Sequence, residues 1–412
     1  MNTELYPPAL VAKYREPSLE LPWQQDVVAL RRDFHANPEL AYEEVRTSGI
    51  VAERLRALGL EVFTQIGKTG VIGLLHGAQP GPCVLVRADM DALPVLEEND
   101  WEWKSATPGK MHACGHDCHT ATALTVARLL VAEKETLRGT VKFMFQPAEE
   151  GYAGAQAMID DGLLEDGKYG PKPDIALALH VWSDLEVGKV SIKSGPVMAS
   201  ADEFEATIYG KGGHGAMPHQ TIDPVMVAAQ VVLAMQTTVS RNLDPLQPGV
   251  VTVGKVLAGS AHNVIAGRAD LSGTIRSFDP VVRATLERRC RELIEELPKA
   301  FGATGEWHYR QGYPATINNE QITQVVTTAL NEELGSENVG PFTPVMGAED
   351  FSLILEKIPG TYFFVGGRNE VIDAVYPHHH AKFNIDEGAL EVGARAMVAA
   401  TKACLNAGIE SL

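Results

Sequence analysis

Ten residues constrain this chain more than any others: Lys110 to His119, reading K-M-H-A-C-G-H-D-C-H. Three histidines, two cysteines and one aspartate fall between His112 and His119. Imidazole, thiolate and carboxylate are preferred ligands of Zn²⁺ and similar borderline metals. An apolar strand expected over 83–87 precedes the cluster and leads into Asp89 and Asp91. A helix expected over 120–132 follows it. The cluster should therefore lie on a loop feeding a helix N-terminus beside a strand end, where open α/β sheets place their sites. A structural zinc knuckle on Cys114 and Cys118 would need a second pair nearby, and the other cysteines are Cys83, Cys290 and Cys404. The C-x-x-x-C spacing disfavours a redox pair. A solvated His-rich loop without metal remains as the bland alternative.

Elsewhere the pattern is that of an α/β chain. Val27, Leu30, Arg31 and Phe34 give helical periodicity over 23–37, stopped by Pro38. Thr47 or Ser48 can cap a second helix over 49–58, closed by Gly59. Strands are expected over 60–64, 71–76, 83–87, 140–146 and 174–179. Three of these ends carry acidic or imidazole groups: Asp89 and Asp91, then Glu149 and Glu150, then His180. With the Cys/His loop they make a dispersed metal constellation.

From Val190 the texture changes. A strand over 203–209, a helix over 224–240, strands over 250–256 and 269–276, a helix over 280–299 and a strand over 305–311 follow in turn. This β-α-β-β-α-β order is the ferredoxin-like unit. It reads as an insertion, because α/β texture then resumes. Helices are expected over 321–334, 350–357 and 387–407, and a strand over 361–365. The domain boundaries are therefore placed at 1–189 and 312–412 for the host domain and 190–311 for the insert.

The formal net charge of −18 over 412 residues disfavours nucleic acid and anionic membranes as partners. Five cysteines, an odd number, suggest a reducing, cytoplasmic compartment. Residues 1–21 contain Pro7, Pro8 and Pro17 and no apolar core of a signal peptide. No apolar run is long enough to span a bilayer.

Glu149 and Glu150 suit two different tasks. In an extended segment successive side chains point in opposite directions, so one carboxylate can bind metal while the other serves as base toward an acidified water. An acidic first turn of a helix is the plainer alternative. His214 lies in G-K-G-G-H-G, where it is either an exposed turn residue or a donor to a developing oxyanion. A phosphate-cradling role lacks the Walker spacing. Arg276 closes a strand and is either a solvated charge or a bidentate clamp for a carboxylate.

Taken together these stretches resemble a known family. The landmarks are R-R-D-F-H-A-N-P-E-L (31–40), R-A-D-M-D-A-L-P (87–94), M-H-A-C-G-H-D-C-H-T-A (111–121) and F-Q-P-A-E-E-G (145–151). They continue with A-L-H-V-W (178–182), G-K-G-G-H-G-A-M-P-H (210–219), G-T-I-R-S-F (273–278), M-G-A-E-D-F (346–351) and H-H-A-K-F (379–383). The chain resembles the amidohydrolases that include hippurate hydrolase, plant auxin-conjugate hydrolases and bacterial N-acyl-amino-acid deacetylases, and is similar to the wider aminoacylase-type metallopeptidases. The resemblance implies an α/β metallopeptidase domain, its mixed sheet flanked by helices, with an inserted ferredoxin-like lid and dimerisation domain. It implies a homodimer and two divalent metal ions, Zn²⁺ or Mn²⁺, with Co²⁺ as an alternative. The implied ligands are Cys114, His116, Glu150, His180 and His379, with Glu149 as general base. His214 would polarise the scissile carbonyl, Asn263 would assist, and Arg276 would hold the substrate carboxylate. An H-x-x-x-F pattern selects His379, with His378 and His380 left open. Two departures stand out: Asn263-Val264-Ile265-Ala266 replaces the usual N-V-I-P, and His379-His380-Ala381 replaces a frequent H-S-P. The implied reaction is cleavage of N-acyl-L-amino acids. A dipeptidase or carboxypeptidase is the alternative, and a non-catalytic binding protein is opposed by the retention of Glu149, His214 and all the ligand candidates.

Overall fold

Val27, Leu30, Arg31 and Phe34 lie buried along one face of α1 (Trp23–Ala36). The computed structural model describes residues 22–407; the stretch read as lacking a signal sequence, 1–21, lies outside the described residues. α2 (Val45–Ala57) starts earlier than expected, and neither Thr47 nor Ser48 caps it. Glu39 does so from a distance. Its carboxylate accepts from the backbone N–H of Arg46 at 2.9 Å and of Thr47 at 2.8 Å. Those N–H groups would otherwise be orphaned, and an anion there also suits the helix dipole.

β1 (Glu61–Ile66) and β2 (Gly70–His76) form an antiparallel pair. β3 (Gln79–Asp89), α3 (His116–Ala132), β4 (Arg138–Gln146), β5 (Ile175–Glu186) and β6 (Val190–Ile192) follow. α3 begins before the expected residue 120, so His116 to His119 form its first turn.

The described residues divide into two units. One takes the chain up to Gly195, then Ile317–Thr343 and the stretch from Leu353; the other takes Pro196–Thr316 and Pro344–Ser352. In the second unit, β7 (Asp202–Tyr209), α4 (Pro224–Asn242), β8 (Gly249–Ala258), β9 (Arg268–Ser277), α5 (Pro280–Glu296) and β10 (Thr304–Arg310) run in that order. The sheet order is β8-β9-β7-β10, antiparallel throughout. β7 alternates strictly, with Asp202, Phe204, Ala206 and Ile208 inward. Asp223 and Asp279 cap α4 and α5, each followed by Pro at the first helical position. α5 stops short of residue 299 because the chain tightens into a 3₁₀ turn at Leu297–Phe301, which contains Pro298.

The first unit resumes with α6 (Glu320–Leu334), β11 (Val339–Pro341), β12 (Gly360–Arg368) and α7 (Gly388–Asn406). The helix expected over 350–357 is only a single turn, Ser352–Leu355. The eight strands lie in the order β1-β2-β4-β3-β5-β12-β6-β11. Neighbours from β4 to β12 are parallel, and β12 is buried along almost its whole length. That explains their near-continuous apolar sequences. Full burial of each Phe143, Phe145 or Phe363 side chain contributes about 1.5–3 kcal/mol.

One polar network lies inside this unit. Arg31, fully buried, donates from Nε to Asp117 at 2.9 Å and from Nη1 to Glu387 at 3.2 Å, with Trp103 stacked 4.1 Å from its guanidinium carbon. The same Asp117 oxygen lies 2.8 Å from His35 Nδ1. Asp117 sits in the first turn of α3, so the network ties α1 and the start of α7 to the residue beside His116. Burial opposes the charge on Asp117, but Arg31 and then His35 outweigh it and hold its pKa far below the carboxylate range. Removing one partner of such a pair strands a buried charge. Arg31→Ala should therefore cost about 3–5 kcal/mol in urea unfolding. A loss below 1 kcal/mol would show that the network does not hold α3.

Candidate metal centre

β3 and β4 run side by side, with Asp89 in register with Gln146, and both lead into acidic turns. α3 starts next to them. Its N-cap, Gly115, has φ +91°, and a Cβ there would lie 2.3 Å from Val181 Cγ2. Only glycine suits both constraints. This turn separates Cys114, still in the loop, from His116 and His119, which share a helix face at i, i+3. The cluster is thus split between loop and helix.

His116 Nδ1 lies 2.9 Å from the Asp91 carbonyl oxygen and 3.2 Å from Asp91 Oδ1. Both are acceptors, so the neutral ring carries its proton on Nδ1. Nε2 is left as a bare lone pair, buried, with no hydrogen-bond partner among the described residues. Glu150 Oε1, 4.0 Å away, is also buried and makes no hydrogen bond, though His379 Nε2 approaches it to 3.2 Å.

His180 donates from Nδ1 to the Val181 carbonyl at 2.5 Å, which leaves Nε2 facing Cys114 Sγ at 3.5 Å. Burial, reinforced by neighbouring histidines, holds the His180 pKa well below its ordinary value, so that lone pair is available. β5 does not end before His180 as expected. It runs on to Glu186, with His180 in register with Phe364 of β12. That pairing fixes the backbone that carries the ring.

Glu149 and Glu150 are not divided by a strand pleat. Ala148 has φ +54°, Glu150 has φ −69° and ψ +69°, and Gly151 has φ +84°. This kinked turn makes the two carboxylates converge: His116, Glu149 and Glu150 each place a ligand atom within 4.8 Å of the others. A non-glycine residue in the left-handed region is strained and needs support. Glu44 supplies it. Fully buried, it accepts from the Ala148 N–H at 2.9 Å, the Tyr42 N–H at 3.0 Å and Thr69 Oγ1 at 2.5 Å.

Two further groups of potential ligands, Cys114–His116–His180 and Cys114–Glu150–His379, share Cys114. A sulfur at about 2.3 Å and a nitrogen at about 2.0–2.1 Å on one tetrahedral metal stand roughly 3.5 Å apart, as Cys114 Sγ and His180 Nε2 do. Burial works against a charged His116, yet Asp89, Asp91 and Glu150 outweigh it and lift its pKa to about 10. The surroundings therefore favour positive charge. Lone pairs, spacing and field all fit divalent metal.

Three residues read from sequence as members of the metal constellation or of the Cys/His cluster, Asp91, Asp89 and His119, take supporting positions. Asp91, besides holding His116, accepts from the Glu150 N–H at 3.0 Å. Asp89 pairs with Arg87 at 2.6 Å and with His119 Nδ1 at 2.6 Å. His119 Nε2 accepts from the Val181 N–H at 2.9 Å, so both its nitrogens are engaged and it supports rather than ligates. The strand-end run R-A-D-M-D was the available signal for the two aspartates. His112, Cys118 and His380 belong to no ligand group among the described residues; His112 packs against His35 instead. A left-handed backbone at His379, φ +67°, sends its side chain and that of His378 to different targets.

The other candidates lie in the second unit. His214 and Asn263 are brought together, since Val264 pairs with His214 and the Gly215 N–H donates to the Asn263 carbonyl at 2.8 Å. Both are exposed. His214 Nδ1 accepts from the Ala216 N–H at 3.0 Å, which leaves Nε2 as the donor of the neutral ring. Arg276 stands apart from them, beside a cavity of about 380 Å³ lined also by Glu203, Glu205, Thr252, Ser272 and Thr274. It bonds to the Asp202 and Ile275 carbonyls and to Thr274 Oγ1, and forms no ion pair among the described residues.

Residues 85–403 match peptidase family M20/M25/M40. An N-acyl-L-amino acid amidohydrolase of Geobacillus stearothermophilus is 44% identical over 297 residues, 72% of this chain and 79% of that one. Thermostable carboxypeptidase 1 of Saccharolobus solfataricus is 42% identical over 374 residues, 90% of this chain and 93% of that one. Among solved structures, a dinuclear metal-binding peptidase of Bacillus subtilis superposes with TM-score 0.82 at 32% identity, covering 94% of this chain and 99% of the other.

The support beneath Ala148 is testable through pH. Burial, with the Asp91 charge adding to it, raises the Glu44 pKa from 4.5 to about 7 against its hydrogen bonds. The folded state thus holds that proton more tightly than the unfolded chain. Its contribution is full below about pH 4.3 and is lost as pH rises through 7. Over that window chelator-treated protein should lose on the order of 3 kcal/mol relative to Glu44→Gln, read from denaturant titrations. Parallel curves for the two proteins would exclude Glu44 as the titrating group.

Proposed function

The chain belongs to peptidase family M20/M25/M40, and from that membership we propose that it hydrolyses the amide bond of N-acyl-L-amino acids to a carboxylic acid and an amino acid. The class of reaction is that of a metal-dependent amidohydrolase. The observation that carries the reading is the buried His116 Nε2, which has no hydrogen-bond partner among the described residues and shares a ligand group with the carboxylates of Glu149 and Glu150. We assign Cys114, His116, Glu150, His180 and His379 as ligands of two divalent ions, Zn²⁺ or Mn²⁺ with Co²⁺ as an alternative. When bound, such a metal pair supplies Lewis acidity and acidifies water at neutral pH.

The remaining chemistry falls to the chain. Glu149 takes a proton from the attacking water on its carboxylate and returns it to the departing amine nitrogen. His214 donates from Nε2 to the carbonyl oxygen as negative charge develops there, with Asn263 assisting. Arg276, without an ion-pair partner among the described residues, holds the substrate α-carboxylate. We read residues 190–311, most of which lie in the second unit, as a lid and dimerisation domain, with His214 supplied by a partner copy. Its sheet leaves β8 as an edge strand with Val256 and Leu257 half exposed, a surface that pairs readily with a second copy. A cytoplasmic location accords with the odd cysteine count. Among the described residues no helix is long and apolar enough to cross a membrane.

The carboxypeptidase name of a 42% identical relative favours one second reading, cleavage of C-terminal residues from peptides. A substrate panel separates the two. Hippurate and N-acetyl amino acids should be cleaved in preference to free-amine dipeptides and to longer blocked peptides. Chelation should abolish turnover, and Zn²⁺, Mn²⁺ or Co²⁺ should restore it. Full activity in a sample shown to be metal-free would sink the mechanism.

The adjacent carboxylates should behave differently. Glu149→Gln should retain metal but lose on the order of 10²–10⁴ in kcat, the usual worth of a general base. Glu150→Gln should instead lose metal occupancy in elemental analysis. Exchanged phenotypes would reverse the two assignments.

A further inference from the structure

His378 stands beside Cys114 without joining any ligand group. Its ring is wedged among Trp182, Phe383 and His180, at centroid distances of 4.9, 4.9 and 5.0 Å. Ser183, on β5, donates its backbone N–H to His378 Nε2 at 3.3 Å. A ring nitrogen that accepts carries no proton, so the neutral ring has its proton on Nδ1. That nitrogen faces Cys114 Sγ at 3.9 Å, within reach of an N–H···S hydrogen bond. Neither nitrogen therefore presents a free lone pair. This is the opposite of His116 and His180, whose Nδ1 protons are committed to backbone carbonyls and whose Nε2 lone pairs face the centre.

We propose that His378 is a positioning residue for the metal centre, donating its Nδ1–H to the Cys114 sulfur rather than binding metal itself. The proposal rests on the assignment of Cys114 as a ligand. An N–H directed at a coordinated thiolate fixes the direction of the sulfur lone pairs. It also draws charge away from the metal–sulfur bond, so the metal remains a stronger Lewis acid than thiolate ligation alone would leave it. Hydrogen bonds from outside the ligand set commonly tune metal sites in this way. The aromatic wedge keeps the ring from rotating away, and the Ser183 N–H fixes the tautomer.

The test uses the Co²⁺-loaded full chain, in which a coordinated thiolate gives a sulfur-to-cobalt charge-transfer band in the near ultraviolet. Wild-type protein should show the band and Cys114→Ser should lack it. His378→Phe fills the wedge without a donor. It should keep the band, moved to longer wavelength, and should bind Co²⁺ on the order of 10–100-fold more weakly. His378→Asn places an amide N–H close to the Nδ1 position and should restore both band and affinity toward wild type. A merely structural role would not give that pattern of shift and rescue. An unmoved band in His378→Phe would overturn the hydrogen bond. Loss of the band together with one equivalent of metal would make His378 a ligand and overturn the proposal. A wild-type protein without the band would instead remove Cys114 from the ligand set, and the proposal would fall with that assignment.

Discussion

A single carboxylate, Asp91, holds three segments of the metal centre in place. One oxygen fixes His116 at the start of α3, and the other accepts from the backbone of Glu150 in the turn after β4. Asp91 itself follows the end of β3. Its position decides which nitrogen of His116 is bare and where Glu150 begins. The cost of this arrangement is electrostatic. Asp89, Asp91, Glu149 and Glu150 gather in a mostly buried region, where like charges repel strongly. The lifted pKa of His116 is one response to that field. A pair of divalent cations is the more complete one, so the chemistry of the site and its electrostatic balance call for the same occupant.

Behind the candidate ligands lie supports of two physical kinds. The first is ionic: Arg31, His35 and Asp117 form a buried network that immobilises the first turn of α3. The second opposes strain. Ala148 occupies the left-handed region next to the carboxylates of Glu149 and Glu150, and Glu44 restrains it through its N–H. Such strain persists only where surrounding contacts over-determine the backbone. Arg31, His35 and Glu44 all come from the first quarter of the chain, far in sequence from the residues they hold.

The two units carry different side chains. The larger offers rigid strand ends and a helix start, which suit ligands that must hold fixed distances. The smaller presents His214 and Asn263 on an exposed turn and Arg276 on the face of an antiparallel sheet.

The sequence by itself determined the class of chemistry and the order of the elements. Cys114, His116, Glu150 and His180 stood out in the sequence as ligand-type residues beside strands whose apolar runs are unmistakable, and the family resemblance was what singled them out as candidate ligands. The β-α-β-β-α-β order was legible because its helices carry local caps, Asp223-Pro224 and Asp279-Pro280. What failed in the sequence was whatever depended on distant residues. α2 starts where Glu39 caps it, not at the nearer Thr47 or Ser48. β5 continues past His180 because β12, nearly two hundred residues later, lies alongside it. The convergence of Glu149 and Glu150 follows from a left-handed alanine that no local propensity favours. The tautomers of His116, His119, His180 and His378 were undecidable from composition. Each is set by which carbonyl, carboxylate or N–H the folded chain brings to the ring. Local patterns follow from covalent geometry and polarity along the chain; proton positions and lone-pair directions follow from contacts that only the tertiary structure makes.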